Sequence, residues 1–186
     1  MQIKNSNLRY GAVAQLLHWS IVVLIVVQFV LANQAEDAQS LLHKAKILTT
    51  HKNYGMTVFM LAAVRLGWRW MNPVPAVPET MKGWLRAVAS ITHWALYALI
   101  LLTPLAGLLM SSAKNYSVSY FGLFTWPNLV APNETLFQAL KETHEILAFT
   151  MLNLALLHAA AALKHHFFDK DNVLRRMLPM KLRSDK

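Results

Sequence analysis

The chain has 186 residues, of which 55% are hydrophobic, and 18 Lys and Arg against 9 Asp and Glu give it a formal charge of +9. It has no cysteine, which excludes disulfides, thiolate metal sites and iron–sulfur clusters. The apolar share exceeds that of an ordinary soluble domain, so the basic excess is read as setting orientation in a bilayer and nucleic acid is set aside as a partner.

Taken in chain order, four stretches are long enough to cross about 30 Å of hydrocarbon, which takes roughly 20 helical residues. They define a single membrane domain over residues 1–186, with helices at about 11–32, 50–70, 86–112 and 142–165 and a basic tail at 166–186. The first contains "AVAQLLHWSIVVLIVVQFVLA"; its apolar core is longer than that of a cleaved signal peptide, so it is expected to be retained. The second, "HKNYGMTVFMLAAVRLGWRW", is the most polar. The third carries Pro104, a predicted kink. The fourth holds "HEILAFTMLNLALLH", with an imidazole at each end. The connectors "NQAEDAQSLLHKAK", "MNPVPAVPETMKG" and "AKNYSVSYFGLFTWPNLVAPNETLFQALKE" are expected to be loops. With both termini on one side, 13 of the 18 basic residues fall there and 5 (Lys44, Lys46, Lys52, Lys114 and Lys141) on the other. Both termini are therefore expected to be cytoplasmic.

Five of the eight histidines lie in or beside these spans. His144 and His158 are separated by about 21 Å of helix rise, nearly four turns, and so leave roughly the same face. That face belongs inside the bundle, because imidazoles facing lipid are costly. His18, soon after helix one enters from the inside, matches the depth of His158. His51, at the outer end of helix two, matches His144. Two imidazole pairs at two levels are what a four-helix bundle needs to clamp two planar macrocycles, and low-spin heme b takes two neutral imidazoles on opposite faces of its iron. Arg65 and Arg69, one turn apart, are candidate partners for heme propionates, since the guanidinium fork binds both carboxylate oxygens. His93, at the depth of His18, could replace His18 or His158 as a ligand, or contact a propionate or a quinone. His43 and His166 read as solvated, and Asp169 to Asn172 as a polar helix-ending turn.

At these residues the sequence resembles the bacterial cytochrome b561 family of four-helix, di-heme membrane proteins. The likeness covers essentially the whole chain and is carried by "RYGAVAQLLHW", "THKNYG" with "VRLGWRW", "ITHWALYALILLTPLAG" and "HEILAFTMLNLALLHAAAALKHHFFDKDNVLRRMLP". It implies an all-α integral membrane protein of the bacterial inner membrane, a four-transmembrane-helix bundle enclosing two b-type hemes. His18 and His158 would ligate the cytoplasmic-side iron, and His51 and His144 the periplasmic-side iron. His93 and His165 also fall where family members have histidine, with His165 associated with quinone. Some members resemble a superoxide oxidase. That implies electron transfer from superoxide, or another periplasmic donor, through two hemes b to ubiquinone near the cytoplasmic side. The lysines around the outer ligands could steer an anion, although five outer carboxylates oppose them. The alternative within the same fold is a cytochrome b subunit that anchors a hydrogenase- or dehydrogenase-type partner to the quinone pool. A heme-free divalent-metal bundle is disfavoured, because zinc needs three or four ligands in one place and the intramembrane histidines are split between two depths.

Overall fold

The computed structural model describes residues 2–76, 82–180 and 182. Among them run four long helices: α1 (Ala12–Glu36), α2 (Leu41–Met71), α3 (Gly83–Ala113) and α4 (Glu134–Lys164). Between α3 and α4 lies a short antiparallel hairpin, β1 (Val118–Tyr120) and β2 (Phe124–Trp126), in register Val118 to Trp126. α4 widens into a π-turn at His165–Asp169, and a 3-10 turn follows at Arg175–Met177. Residues 77–81 of the proline-rich connector, and 181 and 183–186 of the basic tail, lie outside the described residues.

Among the described residues, α1, α3 and α4 with its π-turn extension are long and apolar enough to cross a membrane. α2 was expected to be a fourth such span. It has the length, 31 residues, but lacks the hydropathy because Lys44, Lys46, Lys52, Arg65 and Arg69 are spread along it. It packs chiefly on α1 and less on α3, while α3 packs chiefly on α4. Exposed apolar side chains run along α1 (Val23, Val26, Val30) and α4 (Ile146, Phe149, Leu156). In water such stripes would be a liability; against lipid they are the expected outer surface.

Two of the expected loops prove to be partly structured. α2 starts at Leu41 rather than near residue 50, because the Ser40 hydroxyl caps it by accepting from the His43 amide at 3.2 Å. α4 starts at Glu134 rather than near 142, capped by Asn133, whose side chain accepts from the Leu136 amide at 2.9 Å. Glu134 sits in the first turn, where a carboxylate favours the helix dipole. The middle of the α3–α4 connector forms the hairpin, so among the described residues the regular elements are helical apart from those six strand residues. α3 runs unbroken through Pro104, the expected kink.

At one end of the bundle the N-terminal segment, the end of α2 and the C-terminal turn form a cap. Tyr10 donates its amide to Arg176 O at 3.2 Å. Arg9 Nη2 donates to Leu178 O at 3.0 Å, and Trp19 Nε1 to Met177 O at 2.9 Å. Asn5 Nδ2 donates to Pro73 O at 3.0 Å, and the Arg176 guanidinium to Ala76 O. Gly11 is required here: a Cβ at that position would overlap the Ile3 and Lys4 carbonyls. The segments before α1 and after α4 therefore meet at the same end, as the expected topology requires.

Candidate cofactor sites at two levels of the bundle

At the end opposite the cap, His51 on α2 and His144 on α4 face each other with ring centroids 6.3 Å apart and planes at 71°. His144 is oriented from α3: its Nδ1 donates to Thr103 O at 2.9 Å, which fixes the tautomer and leaves Nε2 as a lone-pair donor. Gly107, one turn along α3, makes room for the ring; a Cβ there would meet His144 Cε1 at 3.2 Å and Nδ1 at 3.3 Å. His51 is held through its backbone, where Gln28 Nε2 of α1 donates to His51 O at 3.0 Å. Gly55 lets that amide approach, since a Cβ at Gly55 would lie 2.8 Å from Gln28 Nε2. The Nδ1 atom of His51 is buried without a protein partner.

This donor set fits a metal held between two imidazoles. With each ligating nitrogen about 2 Å from the metal, the ring centres fall about 6 Å apart. A metal-bound histidine usually donates its other ring N–H to a carbonyl or carboxylate, as His144 does to Thr103. Thr103, Gly107, Gln28 and Gly55 escaped the sequence reading. A backbone acceptor has no sequence signature, and a helical glycine reads simply as a weak helix former.

Fourteen residues further along α4, His158 meets His93 of α3, with centroids 5.3 Å apart and planes at 70°. His18 of α1 and the Arg65 guanidinium lie within electrostatic reach of both imidazoles. The structure thus gathers three imidazoles at this level, where the sequence paired His18 with His158 and left the role of His93 open. The His93–His158 separation is shorter than the about 6 Å of two rings spanning a metal; His93 abuts His158 edge to face.

Arg65 and Arg69 occupy the same end. Arg65 Nη1 donates to Ala14 O at 2.6 Å. The Arg69 guanidinium lies 5.7 Å from the Trp94 ring centre and 5.8 Å from that of Tyr97. Together with Tyr10, Ala14, Trp68 and Tyr97 they line a narrow cleft beneath the cap. Burial raises the Tyr10 phenol above its ordinary value, and the Arg69 and Arg65 charges oppose that rise.

His165 lies beyond the inner level, in the π-turn. The wider turn and the left-handed Lys170 (φ 57°) fold Asp169 and Asp171 back onto it. His165 Nδ1 lies 2.7 Å from Asp171 Oδ2 and 3.0 Å from Asp169 Oδ2. Lys164 Nζ bonds both Asp169 oxygens at 2.8 Å, and that hydrogen bond is the main cause holding the Asp169 carboxyl below its ordinary value. The polar turn expected at Asp169 to Asn172 is therefore a carboxylate clasp on His165. His166, expected to be solvated, is half-buried with its Nδ1 inaccessible, whereas His43 is exposed. Of the outer lysines, Lys114 is bonded to Glu134 at 2.7 Å and Lys141 lies 3.8 Å from Glu145. Lys52, adjacent in sequence to His51, sits over the Tyr116 ring at 5.2 Å.

The family model of prokaryotic cytochrome b561 matches residues 9–180. The chain belongs to this family. Among its relatives, cytochrome b561 homolog 2 of Escherichia coli (strain K12) is 32% identical over 181 residues, covering 96% of this chain and 95% of the relative. Cytochrome b561 homolog 1 of the same organism is 35% identical over 130 residues, 70% of this chain and 73% of the relative. A Yersinia pestis protein named probable superoxide oxidase CybB is 27% identical over 181 residues, 97% of this chain and 99% of the relative. This cytochrome b561 relative is accordingly a membrane cytochrome b of electron transport, and membership implies b-type heme. The paired imidazoles of the outer level are a suitable donor set for it.

Proposed function

We propose that the chain is a di-heme superoxide:ubiquinone oxidoreductase of the bacterial inner membrane. It would take electrons from superoxide at the periplasmic side and deliver them to ubiquinone near the cytoplasmic side. The observation that carries this is the vertical arrangement of imidazoles on α4: His144 faces His51 at one level, and His158 sits among His93 and His18 fourteen residues away. The name of the Yersinia pestis relative supports the donor.

When bound, heme supplies reversible one-electron chemistry; the chain supplies position, charge and proton handling. His51 and His144 would hold the outer heme, with Thr103 O fixing the His144 tautomer. His18 and His158 would hold the inner heme, with His93 braced against His158. Arg65 and Arg69 stand at the inner level, where propionates need cationic partners. Both termini face the cytoplasm by the distribution of basic residues. At the outer end Lys52 offers an anion a positive charge beside His51, while Lys114 and Lys141 are engaged by Glu134 and Glu145. At the inner end, the His165 Nδ1–H donates to Asp171 and leaves Nε2 for a quinone carbonyl. The two carboxylates orient the ring, so that Nε2 can hydrogen-bond the quinone and relay protons between it and water.

The test is to mix purified protein with superoxide and ubiquinone and follow heme absorbance and ubiquinol together. Heme reduction by superoxide followed by ubiquinol formation is expected. No faster reduction than in a heat-treated control refutes the donor. Purification with further polypeptides that are needed for reduction would instead favour the anchoring-subunit alternative.

A further inference from the structure

The α3–α4 connector is unlike an aqueous loop. From Asn115 to Asn133 it has no Asp, Glu, Lys or Arg, and it includes Tyr116, Tyr120, Phe121, Phe124 and Trp126. The other connector at this end of the bundle starts at Asp37, directly after Glu36 at the end of α1.

Its depth is fixed by what it touches. Val118 is buried against Met56 of α2 and Leu108 of α3, with Phe59, Tyr120 and Trp126 packed around them. Tyr120 Oη lies 3.1 Å from Thr57 Oγ1, and the Phe121 amide donates to Asn53 Oδ1 at 3.3 Å. Counting about 20 residues, the length that crosses the hydrocarbon, from Arg69 back along α2 reaches Thr49. The same count from Lys164 along α4 reaches His144, whose ring meets His51. Both place the membrane boundary close to the outer imidazoles. Asn53, bonded by the Phe121 amide, then lies about 5 Å inside it and Thr57 roughly 10 Å inside, and the hairpin that touches both lies inside it too.

Non-helical backbone at such depth must have its polar groups satisfied within the protein. The strands pair with each other, and the roots of the hairpin bond the end of α3. Tyr116 N donates to Ser111 O at 2.8 Å and Asn133 N to Ala113 O at 2.9 Å. Leu129 N donates to Ser112 Oγ at 3.2 Å, while the Ser112 hydroxyl donates to Leu108 O at 2.9 Å. This accounts for the fully buried hydroxyl of Ser112 at the end of an apolar helix, whereas Ser111 contributes its carbonyl. Away from the bundle the hairpin shows Leu123 at 78% exposure, with Phe121 and Phe124 about half exposed.

We propose that the β1–β2 hairpin is a re-entrant element, its Phe121–Phe124 tip in contact with lipid acyl chains of the leaflet at the His51 end. Tyr116, whose ring lies 5.2 Å from Lys52 Nζ, is placed at headgroup depth, where amphipathic rings prefer to sit. The occupant of the exposed face is lipid rather than a protein partner: the segment offers no charge to recognise one, and its depth puts it beside the acyl chains. The inference rests on the bundle spanning the membrane, and it makes the hairpin a side wall between α2 and α3.

Because the chain has no cysteine, single labels are straightforward. Leu123→Cys and, as a second variant, Phe124→Cys carry a nitroxide in phosphatidylcholine–phosphatidylglycerol vesicles. Collision with oxygen is compared with collision with a water-soluble nickel chelate. Val26→Cys, on the exposed face of α1, and Gln39→Cys, in the charged connector, set the lipid and water limits. The hairpin labels are expected near the Val26→Cys value, with several-fold more oxygen relative to nickel than Gln39→Cys. Hairpin labels that match Gln39→Cys while Val26→Cys stays lipid-like overturn the proposal alone. Hairpin labels shielded from both reagents mean a protein covers the face and likewise overturn it. If Val26→Cys is also water-like, the membrane-spanning bundle itself fails.

Discussion

Gly107→Val tests whether α3 builds the outer site through His144. A Cβ at residue 107 would already stand 3.2 Å from His144 Cε1 and 3.3 Å from Nδ1, and valine adds two methyl groups. The ring must swing away, and its 2.9 Å bond to Thr103 O breaks with it. Losing such an orienting bond typically costs about 10- to 100-fold in affinity for the bound metal, about 1.4–2.8 kcal/mol. Heme per polypeptide, measured by extraction against protein concentration, should fall toward half as the outer heme is lost and the inner one kept. Gly107→Ala should lose less. Its methyl asks the ring to shift by a few tenths of an ångström, and the gain in helix propensity, about 1 kcal/mol, supports the thermal midpoint. Gly67→Val is the control, because a Cβ there meets nothing within 4 Å. A Gly107→Val protein with full heme content and unchanged spectrum would refute the idea that His144 is a ligand positioned by Thr103.

Other perturbations separate the remaining parts. His51→Ala and His158→Ala should each remove about half the heme, each a different spectral component; retention of both hemes by either variant refutes the ligand assignment. Asp171→Asn removes one of the two carboxylates on His165 Nδ1. It should leave heme content and reduction by superoxide intact while slowing ubiquinol formation; an unchanged rate of ubiquinol formation counts against a role for the His165 clasp in quinone reduction. The Lys114–Glu134 pair lowers the Glu134 pKa and raises that of Lys114, in both cases chiefly through their mutual hydrogen bond. The Glu134 contribution is present above its unfolded value and lost as pH falls through the depressed folded one, while that of Lys114 is present below its unfolded value and lost as pH rises through the raised folded one. Thermal midpoints should therefore not vary with this pair between pH 5 and 8, and Lys114→Met, at so exposed a bridge, should change them little; a clear pH-dependent loss in that window contradicts the sign.

Depth was legible in the sequence and azimuth was not. The 14-residue interval between His144 and His158 fixes two levels on one face of one helix, whatever surrounds it. Whether His18 or His93 stands nearer to His158 depends on how α1 and α3 rotate about their own axes, which spacing within separate helices does not report. Helix ends were missed for a different reason. Apolar content marks where the chain meets lipid, whereas α2 continues through "LLHKAKILTT" outside it, held by a Ser40 cap whose signal is a single residue. The hairpin was missed because its strands are three residues each, too short for alternation to register, and its turn uses Phe121 and Gly122 at positive φ.

The two levels are chemically unequal, and that inequality bears on direction. The inner level has the Arg65 guanidinium in electrostatic reach of His18, His93 and His158, with Arg69 one turn away. The outer level has Lys52 close by, but Lys114 and Lys141 are matched by Glu134 and Glu145. Inside a bundle, where screening by water and salt is weak, a fixed cation stabilises an added electron more than a surface charge does. Propionates of the proposed inner heme would offset part of this positive charge, while the Arg65 bond to Ala14 O holds the guanidinium in place. In the function proposed above, the charge of the chain would favour an electron moving from the His51–His144 level toward His158. That is the direction required by a donor at the outer end and a quinone beside His165.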